Sequence, residues 1–130
     1  MSLISILEAY FGEIEQGISA DSFTKYYTSD AIQTDYPNLM VPAGLTQAIH
    51  ELQHSSTKTK GILSSQKVEI QRYYESGNTL IVEALWTGTL ALPIGQIPIG
   101  GQMKANFARF YEFENGKICR QRNYDCFEPF

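Results

Sequence analysis

The run His50-Glu51-Leu52-Gln53-His54 places two imidazoles four residues apart with a carboxylate beside the first. On a helix that spacing puts both histidines on one face, where they can hold zinc while the glutamate serves as general base. Glu75 would be the third ligand. Three features oppose this chemistry. Ser56 stands where such enzymes carry an apolar residue, Glu75 lies beside a strand turn, and a solvated helix face carries His and Glu as ordinary surface residues. The solvated face is the expectation, and no metal is assigned. A second chemistry needs only carboxylates and neutral donors. In a period-two reading of the last third of the chain, Asp125 shares a face with Asn123 and Gln121, and Arg109 shares one with Phe107 and Tyr111. Leu80, Val82, Ala84 and Trp86 supply an apolar third wall. Polar groups among converging aromatics are what a small-ligand pocket requires. The plainer reading is that Asp35 and Asp125 pair with Arg109 or Arg122 as structural ions.

The elements that would position these groups change type partway along. Ile4, Leu7, Phe11, Ile14 and Ile18 recur at spacings of three and four, an apolar stripe on one helix. Ser2 or Ser5 can cap it, the latter in a capping box with Glu8, and Gly17 is placed to end it. Tyr10 flanks the stripe. A short second helix carries Phe23, Tyr26 and Tyr27 inward, Asp30 to Asp35 reads as extended, and Pro37 with Pro42 marks a loop. Leu45, Ala48, Ile49 and Leu52 predict a third amphipathic helix. From Leu63 the period is two, with turns at Ser76-Gly77-Asn78, at 92–101 and at Asn115-Gly116. Helices first and a meander of long strands afterwards predict an α+β fold, with three N-terminal helices covering one side of a curved antiparallel sheet.

Composition bounds the function. The 130 residues fit one domain, 1–130, and 43% hydrophobic content is enough for a core without metal or disulfide staples. A net charge of −4 excludes nucleic acid as the main partner. The charge is split: residues 1–57 carry seven acids and one base, and residues 58–130 carry nine bases and seven acids. Glu8, Glu13 and Glu15 interrupt any membrane span or signal peptide at the N-terminus. Cys119 and Cys126 lie seven apart in a strand-like stretch, roughly 23 Å when extended and out of disulfide reach. Two free thiols fit a reducing cytoplasm.

Three stretches, Tyr26 to Pro37 (YYTSDAIQTDYP), Trp86-Thr87-Gly88 and Phe110 to Asp125 (FYEFENGKICRQRNYD), carry a resemblance that spans residues 3–127. In order and spacing the chain resembles the nuclear transport factor 2-like superfamily, closest to its SnoaL-like polyketide cyclase and ketosteroid isomerase-like branches. The resemblance implies a cone-shaped barrel and metal- and cofactor-free proton transfer beside a carbonyl. It implies Asp35 as the general base of the isomerases, although Tyr36 intrudes before Pro37. It implies Tyr10 as oxyanion donor and Arg109 at the place of a second donor that is normally a neutral carboxylic acid; a guanidinium stabilises an enolate by charge instead. Asp125 resembles the catalytic aspartate of the cyclases. Trp86, Phe107, Tyr111, Val82, Asn123 and Gln121 would bind substrate, a small hydrophobic carbonyl compound of steroid or polyketide type. Relatives of this fold commonly pair through the open sheet face, which implies a homodimer. The rival expectation is a non-catalytic ligand-binding or dimerisation module, favoured if aromatics plug the cone or Asp35 turns to solvent.

Overall fold

In the computed structural model, which describes residues 2–130 apart from the side chains of residues 58 and 59, the period change at Leu63 is the boundary between cover and sheet. Two helices, α1 (Leu3–Gln16) and α2 (Ala20–Tyr26), are followed by β1 (Tyr27–Asp35), β2 (Leu45–Ala48) and α3 (Ile49–Thr59). Four long strands then run as a meander: β3 (Leu63–Ser76), β4 (Thr79–Leu90), β5 (Gln102–Glu114) and β6 (Lys117–Phe127). They form one six-stranded sheet in the order β2-β1-β6-β5-β4-β3, open between β2 and β3. The fold is α+β as expected, and the sheet is mixed, because β1 returns beside β6 and pairs with it in parallel. Register shifts between Ile70 and Arg72 on β3 and between Glu112 and Phe113 on β5 act as bulges, which increase local twist and help curve the sheet over the helices.

Local chemistry explains the boundaries. Ser2 caps α1 by accepting the Ser5 N–H at 3.3 Å, so Ser5 and Glu8 do not form the box the spacing allowed. Gly17, at φ 96°, ends the helix with its N–H on the Ile14 carbonyl. Leu45 and Ala48 belong to β2 rather than to a helix, a correction to the predicted third helix. Four residues of apolar spacing cannot separate the two readings, and pairing of Leu45 with Asp35 and of Ala48 with Ile32 decides for strand. Glu51 accepts the Ala48 N–H at 2.9 Å and starts α3. At the last hairpin Asn115 and Gly116 both take positive φ, as a type I′ turn requires.

Leu7, Tyr10 and Phe11 of α1 and Phe23 and Tyr26 of α2 pack onto Leu80, Val82, Phe113 and Ile118 of the sheet. The opposite face exposes Tyr36, Tyr74 and Tyr124. Cys119 and Cys126 both lie on β6 and are free thiols. Among the described residues no helix is long and apolar enough to cross a membrane.

One carboxylate clasps the first two helices together. Glu13 accepts from Ser22 Oγ at 3.0 Å, from Lys25 Nζ at 2.8 Å and from the Tyr26 hydroxyl. These donors, Lys25 foremost, lower its pKa from the ordinary 4.5 to about 2. A depressed carboxylate stabilises the fold above its unfolded pKa and loses that contribution as pH falls through the folded value. Thermal melts are expected to lose stability between pH 4.5 and 2, and Glu13→Gln should remove that part of the acid limb. Parallel acid limbs in the two proteins would exclude the clasp.

Candidate functional site

The strand registers assemble the site in rows across the sheet. Parallel pairing sets Asp35 of β1 opposite Asn123 of β6, antiparallel pairing sets Asn123 opposite Arg109 of β5, and Arg109 lies opposite Val82 of β4. The adjacent inward row is Gln33, Gln121, Tyr111 and Leu80. On the other side Asp125 lies opposite Phe107, which lies opposite Ala84. Residues two apart on a strand share a face, so these rows stack on the interior surface.

A directed hydrogen-bond relay links the rows. The Tyr27 hydroxyl donates to Gln121 Oε1 at 2.5 Å, Gln121 Nε2 donates to Asn123 Oδ1 at 2.8 Å, and Asn123 Nδ2 donates to Asp35 Oδ1 at 2.8 Å. An ionised carboxylate only accepts, so Asp35 fixes which way the Asn123 amide points, and each partner upstream is fixed in turn. Gln33 Nε2 donates to the second oxygen of Asp35 at 3.3 Å. Among the described residues no cation pairs with Asp35. Two neutral amides hold it at the end of β1, and further acceptor positions on its oxygens stay open. The loop beyond is folded on itself: Asn38 Oδ1 accepts the N–H groups of Met40 and Val41, and Gly44, at φ 74°, packs against the Asp35 carbonyl.

Asp125 is held differently. Arg109 Nε and Nη2 donate to its two oxygens at 3.0 and 2.7 Å, a bidentate pair with 19% of the arginine and 5% of the aspartate side chain exposed. The structural ion pair therefore exists for Asp125 with Arg109, while Arg122 bonds Glu112 on the outer face. The guanidinium also stacks 3.8 Å above the Phe107 ring centre. Burial, the largest single influence, opposes its charge, but Asp125, with Tyr111 and Asp35, together outweighs it and raises the pKa, so Arg109 remains a cation. The Tyr10 and Tyr27 hydroxyls are hydrogen-bonded at 3.2 Å, and with the Tyr27 proton on Gln121 the shared proton is that of Tyr10. Burial, only partly offset by that bond, pushes the Tyr10 pKa up, so its phenol keeps its proton.

Two cavities open beside these groups. The smaller, about 270 Å³, is lined by both aspartates with Met40, Trp86, Met103 and Phe127 among its apolar walls. Trp86 stacks on Phe107 at 6.0 Å, and Phe127 stands edge-on to both. The larger, about 400 Å³, lies under α1 and α3 and is lined by Tyr10, Phe23, Gln33, Leu52 and Gln66. Leu63 borders both, and Trp86 Nε1 donates to Gln66 Oε1 at 2.9 Å between them. Of the residues singled out from sequence, Tyr10, Asp35, Asp125 and Trp86 thus line cavities. Val82, Phe107, Tyr111, Gln121, Asn123 and Arg109 face the interior and form the layer behind. Sequence reasoning missed Tyr27, Gln33, Met40, Met103 and Phe127. Tyr27 had only its aromatic, inward-facing character as a signal. His50 and His54 are exposed on α3, Glu51 is spent on the helix start, and no cluster of three metal-ligating side chains occurs among the described residues.

Three helices on a curved, open sheet, with carboxylates and phenols on its concave face, define a cone of the nuclear transport factor 2-like class. Residues 7–121 match the SnoaL-like domain, and the chain belongs to that family. Among solved structures it is similar to IdmH of Streptomyces antibioticus, described as a candidate polyketide cyclase. The two are 12% identical with a TM-score of 0.79, over 96% of this chain and 92% of that one. A candidate polyketide cyclase of Acidithiobacillus ferrooxidans is 20% identical, with a TM-score of 0.75 over 96% and 91%. A SnoaL-like polyketide cyclase of Agrobacterium tumefaciens is 16% identical, with a TM-score of 0.69 over 96% and 91%. At these identities the likeness is one of fold. No curated protein matches the chain.

Proposed function

We propose that this chain is a small-molecule-binding cone that moves protons beside a carbonyl without a cofactor, as an isomerase or cyclase of a hydrophobic carbonyl compound. The observation that carries the reading is the contrast between the two aspartates of one apolar cavity: Arg109 neutralises Asp125, while Asp35 is held only by neutral amides. Asp35 is then the free base. It takes a proton from the carbon next to the carbonyl, and the electron pair of that C–H bond passes to oxygen as an enolate. The negative charge moves from Asp35 to the substrate oxygen, so the net charge of the site is conserved. Tyr10 and Arg109 are the donor and the cation available to meet it. Returning the proton to another carbon completes an isomerisation; attack of the enolate carbon on a second carbonyl closes a ring. Names of structural neighbours as polyketide cyclases support the substrate class.

Hydrogen–deuterium exchange at the α-carbons of 2-tetralone, a fused-ring ketone, tests this reading directly by NMR. The protein should accelerate exchange in buffer alone. Binding without accelerated exchange favours the non-catalytic module, a reading that the packing of Phe107 and Tyr111 into the core supports. Neither binding nor exchange removes both.

The proposal includes a second copy on the outer sheet face, where Tyr36 stacks on Tyr124 at 4.6 Å and Phe110 abuts Tyr124. Sedimentation at micromolar concentration checks it, and a monomer would remove it.

A further inference from the structure

The indole of Trp86 lies along its own strand, over Gly88. The two residues are two apart on β4 and so share a face. A Cβ built at Gly88 would stand 2.5 and 2.6 Å from Cη2 and Cζ2 of the Trp86 ring and 3.0 Å from Leu63 Cδ2. Gly88 does not take positive φ, so what position 88 supplies is space rather than a special backbone. Any larger residue there would have to push the indole or Leu63 aside. The ring is also tied in place. Its Nε1 donates to Gln66 Oε1 at 2.9 Å, and Phe107 and Phe127 pack against it. An indole nitrogen only donates, so this bond fixes the Gln66 amide as well. The spacing of Trp86-Thr87-Gly88 thus joins a large ring to the gap that seats it.

The seat lies at the boundary of the two cavities. The row through Gly88 runs from Gln66 on β3 to Met103 on β5. Gln66 lines the larger cavity, and Met103 lines the smaller one, which holds both aspartates. The indole covers the glycine between them, and Leu63, which borders both cavities, reaches over the same glycine. Trp86 and Leu63, braced by Gln66, therefore form a wall. At about 270 Å³ the chamber with the aspartates is smaller than most ligand sites, which span roughly 300–1,000 Å³. Joined to its neighbour of about 400 Å³ it would fall well inside that range.

We propose that the wall of Trp86 and Gln66 limits the length of ligand that reaches Asp35, admitting a carbonyl compound of two fused rings and turning away one of four. This rests on the reading of the cone as a carbonyl-binding site and narrows its substrate class by size. A long ligand with its carbonyl beside Asp35 must displace the indole, breaking the bond to Gln66 and the stacking on Phe107, or leave its far rings in solvent. A short ligand meets neither cost and gains the indole as an apolar wall. Trp86 is then a specificity-determining residue, acting against the longer competitor as much as for the shorter ligand.

The test is equilibrium dialysis of 2-tetralone, with two rings, and testosterone, with four, against the wild-type protein, Trp86→Ala and Gln66→Ala, with melting temperatures for all three. Trp86→Ala should raise testosterone affinity by about tenfold and weaken 2-tetralone, which loses its wall. Gln66→Ala leaves the ring but frees it, and should shift the ratio of the two affinities the same way by a smaller factor. Gln66 is only half-buried, so this variant decides if Trp86→Ala fails to fold. A ratio unchanged from wild type, including one in which both ligands weaken by the same factor, marks Trp86 as packing alone and overturns the proposal. Testosterone bound as tightly by wild type as by the variants overturns it too, while the carbonyl-site reading survives on 2-tetralone binding. Failure of all three proteins to bind either ligand removes both.

Discussion

Asp35→Asn should slow α-exchange of 2-tetralone by about 10²–10⁴-fold, the usual contribution of a positioned general base, with little change in melting temperature. Asparagine has nearly the shape of aspartate, and its carbonyl oxygen can keep the 2.8 Å bond from Asn123. The second contact, from Gln33 at 3.3 Å, survives a turn of that half-buried amide. Since no cation pairs with Asp35 among the described residues, removing its charge strands no partner. Stability and activity are therefore separable at this residue. An exchange rate within threefold of wild type would exclude Asp35 as the base and return the question to Asp125.

The two aspartates also show how far the sequence alone reaches. The change of hydrophobic period at Leu63 and the alternation in the last strands gave the correct inward faces, so Arg109, Phe107 and Tyr111 and separately Gln121, Asn123 and Asp125 do share faces. Parity says which face a side chain occupies, but not whether that face is open. Phe107, Tyr111 and Val82 are packed behind the walls, and loop or strand-end residues such as Met40, Met103 and Phe127 take their place at the cavity. The relay to Asp35 depends on the parallel return of β1 beside β6, some ninety residues away along the chain. Such a pairing leaves no local pattern, because each strand reads the same whichever neighbour it acquires. Leu45–Ala48 failed for a related reason: the strand is too short for its period to compete with helical spacing. Resemblance, rather than periodicity, singled out Asp35.

The Arg109–Asp125 pair should behave in the opposite way to Asp35. Removing the cation by Arg109→Met leaves a carboxylate with 5% of its side chain exposed and no partner for either oxygen. Breaking a buried pair from one side costs about 3–5 kcal/mol, so the variant should melt roughly 10 °C or more below wild type. It also loses the cation stacked on Phe107, a smaller effect. Arg109→Met/Asp125→Leu removes both ions, and apolar replacement of a buried pair is commonly neutral or stabilising. The double variant should therefore recover most of the lost stability, an interaction that a thermal or urea double-mutant cycle reads directly. Its exchange rate separates structure from chemistry. If Arg109 meets the charge of the enolate, a refolded double variant stays slow although Asp35 is untouched. A stable and fully active double variant would confine Arg109 and Asp125 to structural pairing, and leave Tyr10 as the donor to the ligand oxygen.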